Sequence, residues 1–550
     1  MKSLKPFFLG TILAVACSSV AQPQLAKDDP DLVLHYHFAG TGAFAGATNF
    51  ARLSRILALT NSVTIKGDVL GRLAGSTAEL FKTGKTSASQ TKLLQPLWED
   101  VLQAESVVDW HQTGTALSQF VFMIKLAEDR AKVWESNLKA VVSAWSAGEI
   151  NESASGGWKA KLEAGDLHFS RLGKWVVIAV GAGDGILGGE WMNRVKSGEV
   201  PERFKEALEW FSAEINWPKL EQWLPGALGP LKPARMVVSL RMKNEDVRTE
   251  VSLRYPQAPD WQGQGLKLPV NTIGWPLFSL TGMHNLAAFL NEPETFRRLG
   301  YDPLAGDLFF WTQRDVVYQI FAMAQVADAR GLIHKLAEKA PAVCNPKLRD
   351  WQWGELYWST NENELRLAGV PAITPELRAT NDAGRQFLYA DLFPQSPAKE
   401  SLPPGLLSQF EGKNDLVYFD WEITQFKIEQ WRKIRNLLPL FPAPNQSAVP
   451  GAAAPAAMLM VDDMGPRLIL EESWFADLSQ LLGESVTEIR RVSPREFSFV
   501  RKSGCGFTSL ELIYLAHWLT APAFPFTGGL SKGAGDVSSP AAATRPPGIK

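Results

Sequence analysis

The chain has 550 residues, more than one ordinary hydrophobic core organises, and it is 45% apolar and 21% charged. Lys and Arg number 56 against 58 for Asp and Glu, and no long block of like charge occurs, so the basic surface that nucleic acid requires is absent. Twenty Trp is a high count, read first as bulky core filling and second as exposed platforms for a glycan.

The first 21 residues read as an export signal. Lys2 and Lys5 supply the positive end, Phe7 to Ala16 a short apolar core, and Ser19-Val20-Ala21 a small-x-small cleavage site that leaves Gln22 as the new N-terminus. Losing the two lysines takes the formal charge from −2 to −4. Ala14-Val15-Ala16-Cys17 is a degenerate lipoprotein box, which gives a second reading with a lipid anchor at Cys17. No later apolar run reaches the length of a membrane span, since Leu510 to Leu519 is interrupted by Glu511 and His517. The expected mature chain is periplasmic or extracellular, without a transmembrane helix. Cleavage after Ala21 leaves Cys344 and Cys505, and spacing does not decide whether they pair.

Alternation predicts a strand over 31–38, with Leu32, Leu34, Tyr36 and Phe38 on one face. Gly40-Thr41-Gly42 turns into a helix near Thr48, and residues 64–104 read as two helical pieces divided around Gly84. A strand at 118–126 precedes a helix capped by Asp129, with Trp134, Leu138, Val141, Val142 and Trp145 on one face. Short strands follow at Trp158 to Glu163, Leu167 to Leu172 and Trp175 to Val180. Met236 to Met242 and Val247 to Leu253 alternate about Asn244-Glu245-Asp246 and form a hairpin.

The order then repeats. Leu277 to Leu280 is a strand and Leu286 to Leu290 a helix; Phe321 and Met323 with Asp328 mirror Phe122 and Ile124 with Asp129; Trp351, Trp353 and Trp358 open short strands as Trp158 did. Lys219-Leu220-Glu221-Gln222-Trp223 recurs 208 positions later as Lys427-Ile428-Glu429-Gln430-Trp431, after Asn216-Trp217 and Asp420-Trp421 respectively. Leu220 with Trp223, and Ile428 with Trp431, share a helical face, so both Trp are expected to be buried in equivalent places. A final hairpin is expected from Met458 to Val461 and Leu468 to Leu470 about Asp462-Asp463-Met464-Gly465.

These features predict an α+β fold made of two similar halves, each a largely antiparallel sheet with packed helices, in tandem or facing each other. The expected boundaries are 22–257 and 272–521, joined by a linker from Pro256 to Asn271. Residues 441–457 read as a Pro/Ala/Gly-rich loop, and 522–550 as a disordered tail.

Leu93-Leu94-Gln95-Pro96-Leu97, Leu268-Pro269-Val270-Asn271-Thr272, and Asp420-Trp421 followed by the Glu-Gln-Trp helix resemble a family of large exported bacterial proteins. The resemblance covers most of the mature chain. It implies export, and brings no activity, cofactor or catalytic residue.

Several motifs imitate reactive sites. Gly40-Thr41-Gly42-Ala43-Phe44-Ala45 outlines a dinucleotide fingerprint, but no parallel βαβ series follows it. Thr83-Gly84-Lys85-Thr86 resembles the end of a phosphate loop, with Glu79 where that loop needs Gly. His35 and His37 share a strand face and read as solvent-facing residues of an edge strand rather than metal ligands. Ser146 approximates a nucleophile elbow but follows a helix. Cys505, between Gly504 and Gly506, has no His assigned to it, Asp462-Asp463 is a hairpin turn, and Glu471 and Glu472 point to opposite strand faces. No catalytic residue is singled out, and no cofactor or metal is expected. The leading expectation is a non-catalytic exported binding or scaffold protein whose partner is a protein or envelope component. A secreted hydrolase with a site between the halves, and a Trp-based glycan reader, are the alternatives.

Overall fold

The computed structural model describes residues 31–521 and 524–525, apart from short stretches and the longer segments 182–208, 222–232, 286–305 and 438–464. Ten strands precede the middle of the chain: β1 (Leu32–Phe38), β2 (Ser106–Thr113), β3 (Leu117–Lys125), β4 (Asn151–Glu152), β5 (Gly157–Leu162), β6 (Gly165–Leu172), β7 (Trp175–Gly181), β8 (Glu209–Asn216), β9 (Arg235–Lys243) and β10 (Asp246–Arg254). Ten follow it: β11 (Leu277–His284), β12 (Asp307–Gln313), β13 (Phe321–Gln325), β14 (Glu355–Ser359), β15 (Glu364–Ala368), β16 (Glu376–Asp382), β17 (Arg385–Asp391), β18 (Leu416–Ile423), β19 (Glu484–Ser493) and β20 (Glu496–Ser503).

Among the described residues all are antiparallel to their neighbours and form one 20-stranded sheet. The first set pairs in the order β4-β5-β6-β7-β3-β2-β1-β8-β9-β10. The second pairs as β14-β15-β16-β17-β13-β12-β11-β18-β19-β20, the same order with ten added to every label. The two sets are neither in tandem nor face to face. They join edge to edge, β10 against β20, in an unbroken ladder from Val247↔Ser503 to Arg254↔Glu496.

Among the described residues the helices are α1 (Ala51–Ala58), α2 (Thr60–Leu80), α3 (Ala88–Gln103), α4 (Glu128–Trp145), α5 (Trp217–Glu221), α6 (Ala329–Asp350), α7 (Pro404–Leu407), α8 (Thr424–Leu437), α9 (Gly465–Ser479) and α10 (Ser509–Thr520). Ser87 starts α3 with a reciprocal capping box to Gln90, and Thr508 starts α10 with the same device to Glu511. The residue before α4 is Ala127, which makes no side-chain cap, and the expected cap Asp129 lies inside the first turn, where its charge suits the helix dipole. The α4 stripe Trp134, Leu138, Val141 and Val142 packs on Trp158, Leu167, Phe169 and Val176 of β5–β7. Helix α6 repeats that placement with Ile333 and Leu336 on Leu365 and Leu388. A further core crosses between the sets: Ile56 and Ile65 of α1 and α2 pack with Ile428, Trp474, Phe475, Leu478 and Leu512 of α8–α10.

Three further expectations give way. Leu468 to Leu470, read as half of the final hairpin, lies in α9, and Glu471 and Glu472 are helical with it; Glu472 accepts bonds from Arg432 of α8 at 2.8 and 3.0 Å. The final hairpin is β19–β20, some twenty residues further on. Met458 to Met464 lie outside the described residues. Secondly, β1 is an interior strand between β2 and β8, so His35 and His37 are buried, at 6% and 1% exposure, rather than facing solvent. Thirdly, the chain after Pro522 keeps at least one anchor, because Phe524 is buried against Leu73 with the Arg72 guanidinium 5.2 Å from its ring. The expected helix from Leu286 to Leu290, and Trp223, Trp351 and Trp353, lie outside the described residues.

Candidate functional site

Strand β18 turns Asp420 and Glu422 to one face, where Lys427 of α8 and Ser509 of α10 approach them. The Glu422 carboxylate accepts from the Ser509 backbone N–H at 2.6 Å and from the Ser509 hydroxyl at 2.8 Å. Ser509 opens α10, so Glu422 occupies the place where a helix N-terminus favours an anion. Asp420 accepts from the Thr281 hydroxyl at 2.7 Å. Burial, then the neighbouring Glu422 charge, pushes the Asp420 carboxyl up to about 6.

Lys427, from the second copy of the repeated pentapeptide, donates to Ser279 Oγ at 3.1 Å, and the Ser279 and Thr312 hydroxyls lie 2.9 Å apart. Burial pulls the Lys427 ammonium below its usual range, against the raising charges of Glu422 and Asp420. A lysine bonded to a serine is a known way to activate a nucleophile. Here the serine sits at 5% exposure in the middle of β11, between β12 and β18. The Ser279 and Lys427 polar atoms tie the helix to the sheet.

Arg501 of β20 completes the network. Its Nε donates to Thr487 Oγ1 at 2.9 Å, and its terminal nitrogens to Gly506 O at 3.1 Å and to both Glu511 oxygens at 2.6 and 2.9 Å. Burial pushes the nearby Cys505 thiol up to about 12, which withholds the thiolate a nucleophile needs. Cys344 and Cys505 are both free thiols, so they do not pair.

The same frame recurs in the first strand set. Trp210-Phe211-Ser212-Ala213-Glu214-Ile215 stands 208 residues before Tyr418-Phe419-Asp420-Trp421-Glu422-Ile423. Glu214 pairs across β1 with His35 as Glu422 pairs across β11 with Ser279. Where Ser279 meets Thr312, His35 Nδ1 meets Asp109 Oδ1 at 2.7 Å. Arg235 holds the Glu214 carboxylate. Lys219 Nζ donates to the Gln112 carbonyl at 2.7 Å, so the pentapeptide lysine binds a neighbouring strand in both places. Leu220 and Ile428 are buried at 2% and 0% exposure, and Trp431 is half-buried. His37 Nε2 lies 3.0 Å from Glu105 Oε1, and Lys125 donates to the other Glu105 oxygen at 2.6 Å. Burial, opposed by Glu105, lowers the His37 pKa.

Glu214 and Glu422 escaped the motif reading, although extending the pentapeptide alignment upstream at the same offset brings them together. The Gly40 turn and Ser146 are structural. A Cβ on Gly40 would lie 2.3 Å from the Gln103 carbonyl oxygen, so backbone fills the turn that a pyrophosphate would need. Ser146 ends α4, while Thr83 to Lys85 lie outside the described residues. Among the described residues no group of three or more His, Cys, Asp or Glu converges on a metal position, no Trp is exposed, and no helix is long and apolar enough to cross a membrane.

No family model matches the chain, and no curated protein matches it. Among solved structures, three crystal forms of TP0453 are similar to parts of it. Form I covers 42% of this chain and 81% of its own at 10% identity and a TM-score of 0.22; form III covers 44% and 90% at the same values.

Proposed function

We propose that the chain is an exported, non-catalytic scaffold or binding protein of the bacterial envelope or the space outside it, built by duplication of one ten-strand unit over 22–257 and 272–521. The duplication is supported by the strand order that recurs with ten added to each label and by the matched Glu214 and Glu422. The non-catalytic role rests on one observation: the two sets meet through a hydrogen-bonded strand pair, and the charged groups beside that seam are bonded to helix ends and neighbouring strands. A cleft hydrolase needs an open junction lined by groups free to react. The partner is a protein or envelope component.

The purified full chain should resist labelling by a fluorophosphonate probe and should turn over no ester, peptide or glycoside in a chromogenic panel. Labelling that Ser279→Ala abolishes would sink the non-catalytic reading. Gently solubilised envelopes should carry the chain in an assembly heavier than its own 60.6 kDa; finding it only as a monomer would count against a scaffold. The lipid anchor at Cys17 is proposed alongside simple cleavage after Ala21. Intact mass separates them, since an acylated Cys17 terminus and a Gln22 terminus differ by several residues plus the fatty acyl groups.

A further inference from the structure

At the far end of the second strand set, charged side chains share one face of β15, β16 and β17. Glu364, Arg378 and Tyr389 stand in one cross-strand row, and Arg366, Glu376 and Asp391 in the next. Arg366 pairs with Glu364 and lies 3.5 Å from Glu376. Arg378 Nη1 is 3.5 Å from the other Glu376 oxygen, and its guanidinium stacks 4.5 Å from the Tyr389 ring centre.

Asp391 is the member left over. It is 3% exposed, and both its oxygens are buried without a hydrogen-bond donor. Glu376 Oε2, across the strand pair, also lacks a hydrogen bond, although Arg366 Nε stands 3.5 Å from it. The Tyr389 hydroxyl faces Asp391 but falls outside hydrogen-bonding geometry. On the other side β13 presents the fully buried Phe321, which carries no charge. Asp391 therefore sits in a closed setting without a donor, and an ionised carboxylate without donors is costly there.

We propose that Asp391 holds a proton in the folded chain, and that releasing it to solvent loosens the β14–β17 end of the sheet together with α6. The device is a pH latch, tight in acidic surroundings and slack in alkaline ones. It stands independently of the scaffold reading. Burial, then the Glu376 charge, pushes the Asp391 carboxyl up to about 7. Burial, then the Asp391 charge, raises the Tyr389 phenol, which stays protonated throughout. A carboxyl raised on folding binds its proton more tightly in the closed state than in the open one. Closure therefore weakens as pH rises from the ordinary carboxylate range toward 7, and levels off above it.

Amide hydrogen exchange of the full chain between pH 5 and 9, corrected for intrinsic rates, tests this. Protection of β15–β17 and α6 should fall about tenfold per pH unit up to about pH 7 and then flatten, while β10 and β20 stay level. Asp391→Asn should abolish the slope and keep pH 8 protection at or above that of the parent. A level profile in the parent, or an unchanged slope in D391N, overturns the latch. If D391N fails to fold, Glu376→Gln decides: without its neighbour's charge Asp391 should titrate lower, so the fall should end at a lower pH. An unmoved end point overturns the proposal.

Discussion

Arg501→Ala destabilises the chain by about 3 kcal/mol, the lower end of the range for breaking a buried ion pair. Arg501 is 4% exposed and its guanidinium spans four structural parts: Thr487 on β19, the Gly506 carbonyl after β20, the Glu511 carboxylate in the first turn of α10, and the Phe499 ring 5.2 Å away. Removing it leaves Thr487 and Gly506 O without their donor. It also releases Glu511, which caps the Thr508 backbone N–H of the same helix. Glu511 is 31% exposed at its side chain, so water reaches it and softens the loss. The reverse change is the harsher one. Glu511→Ala leaves a guanidinium that cannot shed its proton buried with half its partners, so it should cost at least as much as Arg501→Ala. Arg501→Lys should rescue little, because an ammonium cannot meet both Glu511 oxygens and Thr487 in one plane. Urea unfolding measures all three through a shift in midpoint at constant slope. A cost below about 1 kcal/mol for both R501A and E511A, the range of exposed pairs, would mean that the network contributes no more than a surface contact.

How far such a network can be read from sequence depends on which face of a strand is apolar. Along β1 the alternation of Leu34, Tyr36 and Phe38 is plain, and the strand is where that pattern puts it. The same alternation implies that His35 and His37 face water, which holds only when a sheet is covered on one side. Here both faces of β1 are closed, and the partners that make buried histidines tolerable, Asp109 and Glu105, lie 74 and 68 residues away. The final hairpin failed for a related reason. Ser485, Thr487, Ser498, Arg501 and Ser503 hold most of the buried positions of β19 and β20, with Phe497 the apolar one among them, so a search for apolar alternation passes over both strands. Leu468 to Leu470 offered a short apolar run, too short to distinguish a strand from a turn of helix. The mixture of helices and antiparallel strands was legible because it depends on many weak signals in sequence. The edge-to-edge joining of the two sets was not, because neither β10 nor β20 carries a mark naming its neighbour.

That joining makes a second, larger prediction. Separately produced fragments 22–257 and 258–550 should each fail to unfold cooperatively, and should recover a native-like exchange pattern only when mixed or co-expressed. The β10–β20 ladder contains eight residue pairs, all of which lose their partners on separation. Ile56 and Ile65 lose the α8–α10 core, Trp474 loses its bond to Ser62 Oγ at 2.9 Å, and the Ala521 carbonyl loses Arg72 at 2.7 Å. An exposed edge strand commonly recruits another copy of itself. Aligning the β9–β10 and β19–β20 turns, Lys243 and Asp246 with Ser493 and Glu496, shows why this one should not. In that register two copies of β10 would set Glu250 directly against Glu250, whereas the intact chain sets Glu250 against Val500. Like charges opposite one another in a ladder are destabilising, and Glu250 is 4% exposed. The N-terminal fragment should therefore aggregate or stay loosely folded, and Glu250→Val should convert it toward a symmetric dimer, read by light scattering after size exclusion. A wild-type fragment that is monomeric and unfolds in one sharp transition would show that each set holds its own core without the seam. The two sets would then be domains that merely touch, and the continuity of the twenty strands would contribute little to stability.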